Sequence, residues 1–375
     1  MTQTIAEAWQ TKGDVLRSLN RHQEATRSYE AAVEAYDKKV EKNPEDIDSW
    51  LGKASALHIL GRWDEALAAY DRATEIAPRD YRAWWDKGQF HSSTGDINES
   101  MKAYDLAIEL IPADDTAMLA LPWEDKTEEL AAADRWEDAL AAANKTLELD
   151  PKKSSMWHFK AFILSSHGKK EMALSALEEA IGHNPGDIAG WQYKAGLLAE
   201  MKQHNASLEA YDRAIELTPG DDAEGLAQAW LSKAAALNKT GRLDEAAAAF
   251  QKSVELYDLA FTKDPGDISL LASKGRALFG LGRYDEAIAI CDRILRDAPR
   301  IEPGFAQITA WIVRGDALRA LGRNEEALED YNRAIDASPN FIMAWRGRGE
   351  SQRALGDISG ASMSFYVARK LGYEE

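Results

Sequence analysis

The segment from Trp311 to Pro339, WIVRGDALRALGRNEEALEDYNRAIDASP, decides the fold of this 375-residue chain. Apolar or small residues recur in it at spacings of three and four, first up to Gly322 and again from Ala327 onward. Such spacings place side chains on one face of an α-helix. Glycine suits the left-handed backbone at a helix end, and proline stops a helix. The segment therefore predicts two amphipathic helices that are joined by a turn at Gly322.

The same pattern returns along the whole chain, and a tryptophan marks the start of each copy. Trp50 and Trp84 are 34 residues apart, and the long gap between Trp230 and Trp311 splits into 41 and 40 once Leu271 is taken as a substitute. The marker residues are Trp9, Trp50, Trp84, Trp123, Trp157, Trp191, Trp230, Leu271, Trp311 and Trp345. A period of this size indicates one small helical unit stacked many times. The sequence therefore predicts an all-α chain of ten units.

We predict that one array of these units occupies residues 1–375, with units beginning near residues 6, 47, 81, 120, 154, 188, 227, 268, 308 and 342. Each unit needs a turn residue that accepts a left-handed backbone. Seven units have glycine there, and Asn20, Asp134 and Lys202 occupy the turn in the other three. Small residues such as Ala54 and Ala66 stand where the two helices of a unit are expected to cross.

The repeated residues resemble the tetratricopeptide repeat. In the quoted segment the pattern residues are Trp311, Gly315, Leu318, Gly322, Ala327, Tyr331, Ala334 and Pro339. The resemblance covers essentially the whole chain and is specific for the fold. It implies a right-handed superhelical α-solenoid in which the first helix of each unit lines a concave groove and the second faces outward. It also implies protein–protein contacts, without naming a partner.

Several units depart from the strict period. Units one and seven have seven extra residues before their proline, within the stretches 36–43 and 257–264. Seven residues shift a helical face by only about 20°, so we expect longer second helices there. Five or six extra residues follow Pro112, Pro219 and Pro299. Since five residues would rotate a face by about 140°, we expect a loop or a lead-in turn before the next helix.

In the geometry that the resemblance implies, fixed positions around each marker residue face the groove. We predict a peptide-binding groove lined by Leu51, Trp85, Gln89, His158, Phe162, Gln192, Leu231, Asn238, Arg276, Phe279, Ile312, Arg319, Arg346 and Arg353. An extended peptide or a guest helix would use Trp85, Phe162 and Phe279 as anchors. Trp85 is of special interest because it adjoins Trp84 and is an addition to the repeat pattern.

The predicted groove changes sign along the chain. Its first five units are acidic, because Glu7, Asp14, Asp48, Glu124 and Glu128 outnumber Arg17 and Arg82. Its last five units are mildly basic through Lys239, Arg276, Arg319, Arg346 and Arg353. The four arginines could receive an acidic segment or a chain-terminal carboxylate. Alternatively, they pair internally with Asp316 and Glu350.

A lysine or arginine precedes each small crossing residue of the first helices, as Lys53, Lys87 and Lys126 do. We interpret this ladder as packing, because the aliphatic stems can cover the neighbouring unit. The charges are then expected to pair with acids late in the preceding second helix, such as Glu75, Glu109 and Glu216.

Two functional subtypes of the family differ from this chain at their marker positions. The subtype that clamps a terminal carboxylate uses lysine one residue after the tryptophan, where this chain has residues such as Leu51 and Trp85. The sugar-transferase subtype has an asparagine ladder two residues after the tryptophan. This chain has no asparagine at those positions, which include Asp86 and Asp125.

Composition limits the partners. A net charge of −18 argues against nucleic acid and against anionic membrane surfaces, since both attract cations. Cys291 is the only cysteine, so an intramolecular disulfide is excluded and a buried thiol is expected. No signal peptide and no apolar run of membrane-spanning length is visible. We expect a cytoplasmic protein that does not insert into membranes.

We find no chemistry that predicts catalysis. The seven histidines have no metal-ligand spacing to another histidine or to the cysteine. No glycine-rich phosphate loop and no nucleophile–base arrangement is present. The sequence therefore predicts no enzyme activity, no metal and no cofactor.

The leading functional hypothesis is a non-catalytic scaffold or adaptor that holds a peptide or protein segment in the groove. The alternative is a regulatory or targeting subunit that modulates an enzyme encoded elsewhere. The last second helix offers Met363 and Tyr366 with no further helix after it. Because repeat arrays need a polar cap, we also predict end-to-end self-association through this uncapped last unit.

Overall fold

The structure is a computed structural model that describes residues 5–297 and 304–372. Those ranges contain twenty α-helices and no strand, which confirms the all-α prediction. Contacts along the chain group it into two compact units, unit 1 from Met1 to Asn184 and unit 2 from Pro185 to Glu375. A single continuous array over residues 1–375 stays a prediction.

Unit 1 consists of five helix–turn–helix pairs. Its helices are α1 (Ile5–Ser18), α2 (His22–Lys42), α3 (Ile47–Ile59), α4 (Trp63–Ile76), α5 (Tyr81–Thr94), α6 (Ile97–Leu110), α7 (Thr116–Ala132), α8 (Trp136–Leu149), α9 (Ser154–Ser166) and α10 (Lys170–His183). The second helices α2, α4, α6 and α8 each pack on the first helix that follows them. The first helices α1, α3, α5 and α7 also contact one another in order, and we call their shared surface the first-helix face of unit 1.

Unit 2 repeats this arrangement. Its helices are α11 (Ile188–Glu200), α12 (His204–Leu217), α13 (Ala223–Lys239), α14 (Leu243–Lys263), α15 (Ile268–Gly280), α16 (Tyr284–Asp297), α17 (Phe305–Ala320), α18 (Asn324–Ala337), α19 (Ile342–Ala354) and α20 (Ile358–Lys370). The first helices α11, α13, α15, α17 and α19 contact one another in order and form the first-helix face of unit 2.

The turns inside the pairs have the predicted left-handed backbone. The φ angle of Gly61 is +73°, and six more turn glycines have similar values. Asn20, Asp134 and Lys202 adopt φ angles of 57°, 59° and 60° at the equivalent turns. A side chain in this region is strained by roughly 1–2 kcal/mol, which the surrounding helix packing must offset. The ten turns are therefore equivalent in geometry although three lack glycine.

The extra residues lengthen helices, as the helical period requires. Helices α2 and α14 have 21 residues, whereas most second helices have 14. This confirms the longer second helices predicted for the first and the seventh of the ten repeats. The residues that follow Pro112 and Pro219 form an added first turn, so α7 and α13 reach 17 residues. Pro299 lies outside the described residues. Whole added turns leave the buried stripe of each helix in place.

Helix crossings depend on small residues, as predicted. Ala54 and Ala66 are fully buried at one such crossing. At another, a Cβ atom on Gly88 would come within 2.6 Å of the Tyr104 ring, so only glycine leaves room for that ring. The first and second helices of a pair thus approach closely because one side presents almost no side chain.

The ladder of basic residues joins neighbouring pairs, but to different acids than predicted. Lys53 Nζ lies 2.6 Å from Asp37 Oδ1, and Lys87 Nζ lies 2.7 Å from Asp71 Oδ1. The prediction that Glu75 accepts the charge is wrong, and Glu109 and Glu216 are likewise replaced by the aspartates four residues earlier. These aspartates follow the buried tyrosine of each second helix and so lie nearer the next first helix. The Nζ atoms of Lys53 and Lys87 also lie over the Trp50 and Trp84 rings of their own helices, at 5.1 and 5.4 Å from the ring centres.

The single cysteine is structural. Cys291 is completely buried in α16, as predicted. Burial raises the pKa of its thiol to about 12, so the reactive thiolate is not populated near neutral pH.

Candidate functional site

Two cavities of about 400 Å³ each open on the first-helix face of unit 1. The α3–α5 cavity is lined by Glu7, Tyr36, Asp48, Leu51, Tyr81, Arg82, Trp85, Asp86 and Met118. The α5–α7 cavity is lined by Gln89, Ser92, Ser93, Tyr104, Asp125, Glu128, Glu129 and Ala132. Both volumes are large enough for amino-acid side chains, and both cavities draw residues from α5.

Trp85 connects the two cavities. Its ring lines the α3–α5 cavity, while its indole Nε1 donates a hydrogen bond to Asp125 Oδ2 at 2.6 Å. The Gln89 amide donates to the same carboxylate oxygen at 3.1 Å. A charge-assisted hydrogen bond of this kind holds a ring in one orientation. Trp85 is therefore a preorganised aromatic surface rather than a free side chain.

Local repeat geometry explains why Asp86 and Asp125 lie on this face. Both stand two residues after a marker tryptophan, a position that faces the tyrosine of the preceding second helix. At Gly52, which holds the same position, an added Cβ atom would overlap the ring of Tyr36. A longer side chain at this position is thus forced outward from the tyrosine toward the face. The aspartates are only half-buried there.

Burial perturbs the carboxyl groups of this face. It raises the pKa of Asp86 to about 6 and also raises the pKa of Asp125, where hydrogen bonds from Trp85 and Gln89 oppose it. The pKa of Glu128 is raised by burial and by the neighbouring charges of Glu124 and Asp125. The main cause of these raised pKa values is burial, which disfavours the charged form, and the nearby positive charges do not fully offset it.

The basic groups near the α3–α5 cavity are already committed to other acids. The Arg82 guanidinium donates to Asp80 at 2.6 Å and to Asp48 at 2.8 Å, and these contacts raise its pKa. Lys39 lies 3.7 Å from Asp46. Within the described part of the chain, the Asp86 carboxylate makes no hydrogen bond and no ion pair.

Glu129 differs from these carboxylates because it is buried and both of its carboxylate oxygens accept hydrogen bonds. Its carboxylate accepts hydrogen bonds from the hydroxyls of Ser92 and Ser100, the latter at 3.2 Å. This network joins α5, α6 and α7 beneath the α5–α7 cavity. Glu129 therefore stabilises the floor of the cavity and is not available to a ligand.

The structure brings together three of the five groove residues predicted in unit 1. Leu51 and Trp85 line the α3–α5 cavity, and Gln89 lines the α5–α7 cavity. His158 and Phe162 lie on α9 and line neither cavity. Phe162 is nonetheless 60% exposed, which is unusual for a phenylalanine and is consistent with a contact surface.

The arginines of unit 2 do not form a free anion receptor. Arg319 lies 3.0 Å from Glu350 and 3.9 Å from Asp316, and Arg346 lies 3.5 Å from Glu350. The alternative of internal pairing is therefore confirmed for these two arginines. Burial raises the pKa of Asp316, and the arginines oppose that shift. These pairs form because α17 and α19 lie side by side, so that their basic and acidic side chains are within a few ångströms of one another.

The remaining arginines of the predicted group are exposed and lie apart from this pairing. Arg353 lies 5.7 Å from the centre of the Phe365 ring as a cation–π pair. Arg276 makes no ion pair within residues 5–297 and 304–372. Of the four arginines, Arg276 and Arg353 therefore remain accessible, whereas Arg319 and Arg346 are paired with Glu350.

Two apolar residues of the predicted groove belong to the core instead. Leu231 is 3% exposed and Ile312 is 8% exposed, and neither lines one of the two cavities, whereas Leu51 does so at 8% exposure. Their helices are tightly packed by neighbours on both sides, which the repeat pattern alone did not reveal. Asn238 is exposed, Gln192 is half-buried, and Phe279 packs on Tyr284 at 5.6 Å between ring centres.

Sequence reasoning missed Asp86 and Asp125 as candidate binding residues. Both were considered only as positions where an asparagine was absent. The available signal was an aspartate two residues after the marker tryptophan in two successive repeats, where the other repeats have small, polar or apolar residues. That signal becomes meaningful only when the packing beside the tyrosine is known.

The last helix exposes the side chains that suggested self-association. Met363 is 60% exposed and Tyr366 is 51% exposed. The chain terminus at residues 373–375 lies outside the described residues. Self-association stays a prediction.

Residues 5–297 and 304–372 contain neither a metal-binding cluster nor a membrane-spanning helix. No group of three or more histidine, cysteine, aspartate or glutamate side chains there is placed to hold a metal ion. None of the helices in that part of the chain combines the length and the apolar character needed to cross a membrane.

Comparison with known families gives a consistent match. Two models described as tetratricopeptide repeat match the chain, one over residues 11–80 and 60–115 and the other over residues 187–258 and 267–340. Together these ranges include more than half of the chain and fall in both units.

Individual relatives are distant. The small glutamine-rich tetratricopeptide repeat-containing protein 2 of Mycosarcoma maydis is 25% identical over 140 residues, which are 37% of this chain and 38% of that protein. The Hsp70-Hsp90 organizing protein of Triticum aestivum is 26% identical over 133 residues, or 34% of this chain and 22% of that protein. The chain thus matches well under half the length of these relatives.

Solved structures share the fold. A tetratricopeptide repeat protein from Parabacteroides merdae has a TM-score of 0.54 with 16% identity, over 72% of this chain and 98% of its own. The C-terminal part of a repeat protein from Cytophaga hutchinsonii has a TM-score of 0.52 with 14% identity, over 70% of this chain and 98% of its own. At such identities the likeness concerns the fold alone.

Proposed function

Because the chain belongs to the tetratricopeptide repeat family, we propose that it is a non-catalytic scaffold that binds a peptide or protein segment on the first-helix face of unit 1. Membership of the family favours a protein-interaction role. The location of the binding surface is our own inference from the geometry of α3, α5 and α7.

One observation carries this proposal, namely a preorganised tryptophan between two cavities. Trp85 is held by Asp125 across the gap between α5 and α7, and its ring faces the α3–α5 cavity. Aromatic side chains with little remaining freedom are the residues that dominate binding energy at interfaces. The fold does not need this ring, because the marker residue Trp84 already packs the unit.

The cavities on either side of Trp85 suit alternate side chains of an extended segment. Residues two apart in an extended chain point to the same side, about 7 Å from one another. The partner backbone would run across α5, with polar side chains such as Gln89 and Ser92 available for hydrogen bonds. Phe162 on α9 provides a further exposed contact within unit 1.

Site-specific photo-cross-linking tests the proposed surface. A photoreactive phenylalanine is placed at Gln89 on the face, or at Asp64 on α4 as a control position, and cross-linked proteins are identified by mass spectrometry. Partners are expected from the Gln89 position, and Trp85→Ala should remove them. Trp63→Ala is the matched control, since Trp63 is 47% exposed on α4.

The expected loss for Trp85→Ala is at least thirtyfold in affinity, or about 2 kcal/mol, as for other central aromatic anchors. Partners that cross-link equally from Asp64, or that survive Trp85→Ala but not Trp63→Ala, would place the binding surface elsewhere.

A further inference from the structure

The α3–α5 cavity combines aromatic walls with an acidic floor. Tyr81 and Trp85 contribute rings, and Asp86 contributes a half-buried carboxylate from the next turn of the same helix. Glu7 and Asp48 add carboxylates from α1 and α3. Aromatic faces and carboxylates both attract cations, and they attract them best when the site is partly desolvated.

The protein compensates the charge of Asp86 only in part, through the nearby positive charge of Arg82, which opposes the rise in the pKa of Asp86 that burial causes. The Arg82 guanidinium makes no hydrogen bond to Asp86 and donates its short hydrogen bonds to Asp80 and Asp48 instead. Within the described ranges, no hydrogen-bond donor and no ion-pair partner reaches Asp86. A half-buried carboxylate without a partner lowers the stability of the folded chain, and an external cation would remove that penalty.

The neighbouring α5–α7 cavity is also lined by acidic side chains. Glu128 on α7 is exposed, and it makes no ion pair within the residues that the structure describes. Asp125 uses its carboxylate to hold Trp85 and Gln89, so its negative charge lies beside the ring that forms the cavity wall. The face therefore presents negative potential over both cavities while Trp85 supplies an apolar contact.

We propose that the α3–α5 cavity receives a lysine or arginine side chain from an extended segment of a protein partner. The cationic head pairs with Asp86, and the aliphatic stem lies against Trp85 and Tyr81. This inference rests on the proposed function and adds the chemistry of the partner, a basic peptide.

Other occupants fit the cavity less well. An apolar side chain would displace water from Asp86 and leave its charge without any partner. An acidic side chain would be repelled by Asp86, and the Arg82 guanidinium that also lines the cavity is already paired with Asp48 and Asp80. A cation at the end of a flexible stem matches both the rings and the carboxylate.

A randomised twelve-residue peptide library displayed on phage, selected on the immobilised full chain, tests this proposal. Peptides whose binding is lost with Trp85→Ala are then synthesised with a fluorescent label, and their affinities are measured by anisotropy. We expect one position at which lysine or arginine is strongly enriched. Replacing that residue by glutamine should weaken binding about tenfold or more, as should Asp86→Asn.

Asp64→Asn on α4 is the matched control, because it changes the net charge equally at an exposed position away from the cavities. It should alter the affinity less than twofold. Combining Asp86→Asn with the glutamine peptide should cost little more than either change alone, which identifies a direct pair.

Two different results would contradict the basic-peptide proposal alone or the binding surface as well. Peptides that require Trp85 but show no cationic position, or that are indifferent to Asp86→Asn, overturn the basic-peptide proposal and leave the binding surface standing. Failure to select any peptide that requires Trp85 contradicts the binding surface and the cation pocket together.

Discussion

The first-helix faces of the two units differ in whether their charged side chains form ion pairs. In unit 1, Asp86 and Glu128 are left without basic partners among the described residues, although burial raises the pKa of both. In unit 2, Arg319 and Arg346 share Glu350, and Asp316 is buried beneath Arg319. The same repeat scaffold thus presents an unpaired charge in one place and a closed ion-pair network in another.

This difference distinguishes surface that stabilises the fold from surface that is available to a partner. Removing one charge from a network of half-buried ion pairs is costly because the remaining charges lose their partner. An unpaired half-buried carboxylate, in contrast, destabilises the folded state. Composition alone points to the arginine cluster of unit 2 as the conspicuous feature, whereas the structure points to unit 1.

The largest expected effect on stability comes from Glu350→Gln in unit 2. Removing this charge leaves Arg319 and Arg346 without their shared partner, so we expect the free energy of unfolding to fall by about 2 kcal/mol. Urea denaturation followed by circular dichroism measures the change. Glu128→Gln in unit 1 is the comparison variant and should stay within about 0.5 kcal/mol. Equal losses for both variants would remove the contrast between the faces.

A smaller effect of opposite sign is expected for Asp86→Asn. The folded-state pKa of about 6 lies above the unfolded value of about 3.9, so the favourable contribution of Asp86 is present below pH 4 and is lost as the pH rises through 6. At pH 7 the variant should therefore be more stable than the wild type by about 1–2 kcal/mol. The groups that face or influence Asp86 from the packed elements are Glu7, Tyr36, Asp48, Tyr70, Asp80 and Arg82.

The same denaturation series at pH 4, 5, 6 and 7 checks the sign of this prediction. The stability difference between Asp86→Asn and the wild type should grow from pH 4 to pH 7. A constant difference, or a variant that is less stable at pH 7, would mean that Asp86 has a partner and that the face of unit 1 is compensated like that of unit 2.

The smallest effect is expected for Arg276→Gln on the face of unit 2. Arg276 is exposed, and it forms no ion pair within the residues that the structure describes, so the free energy of unfolding should change by less than about 0.5 kcal/mol. Thermal unfolding of Arg276→Gln, Glu350→Gln and the wild type measures this change. A loss as large as that of Glu350→Gln would show that the closed network of unit 2 extends to α15.

Much of the fold could be predicted from the sequence because repeat proteins are held together by contacts between near neighbours in the chain. The turns at Asn20, Asp134 and Lys202 were predictable, since the equivalent glycines identify the position. The added turns of α2 and α14 were predictable, since seven residues preserve the helical face. The ladder acids were misplaced by four residues, because spacing along a helix does not say which turn lies nearest the next helix.

The candidate site was only partly predictable. Trp85 and Gln89 followed from the repeat register, and both lie at the cavities. Leu231 and Ile312 followed from the same register yet are buried, since the closeness of neighbouring first helices varies from pair to pair. Asp86 was overlooked because its meaning depends on whether a basic group reaches it, and that is a matter of side-chain orientation.

The sequence by itself determined the repeat, the helix order, the turn geometry and the extra tryptophan beside Trp84. These features follow from short-range periodicity, which is written directly into the order of residues. Only the tertiary structure decided which charges find partners, as Arg319 does with Glu350 and Asp86 does not. Pairing depends on distances of a few ångströms between different helices, and Coulomb energy and desolvation change steeply over that range.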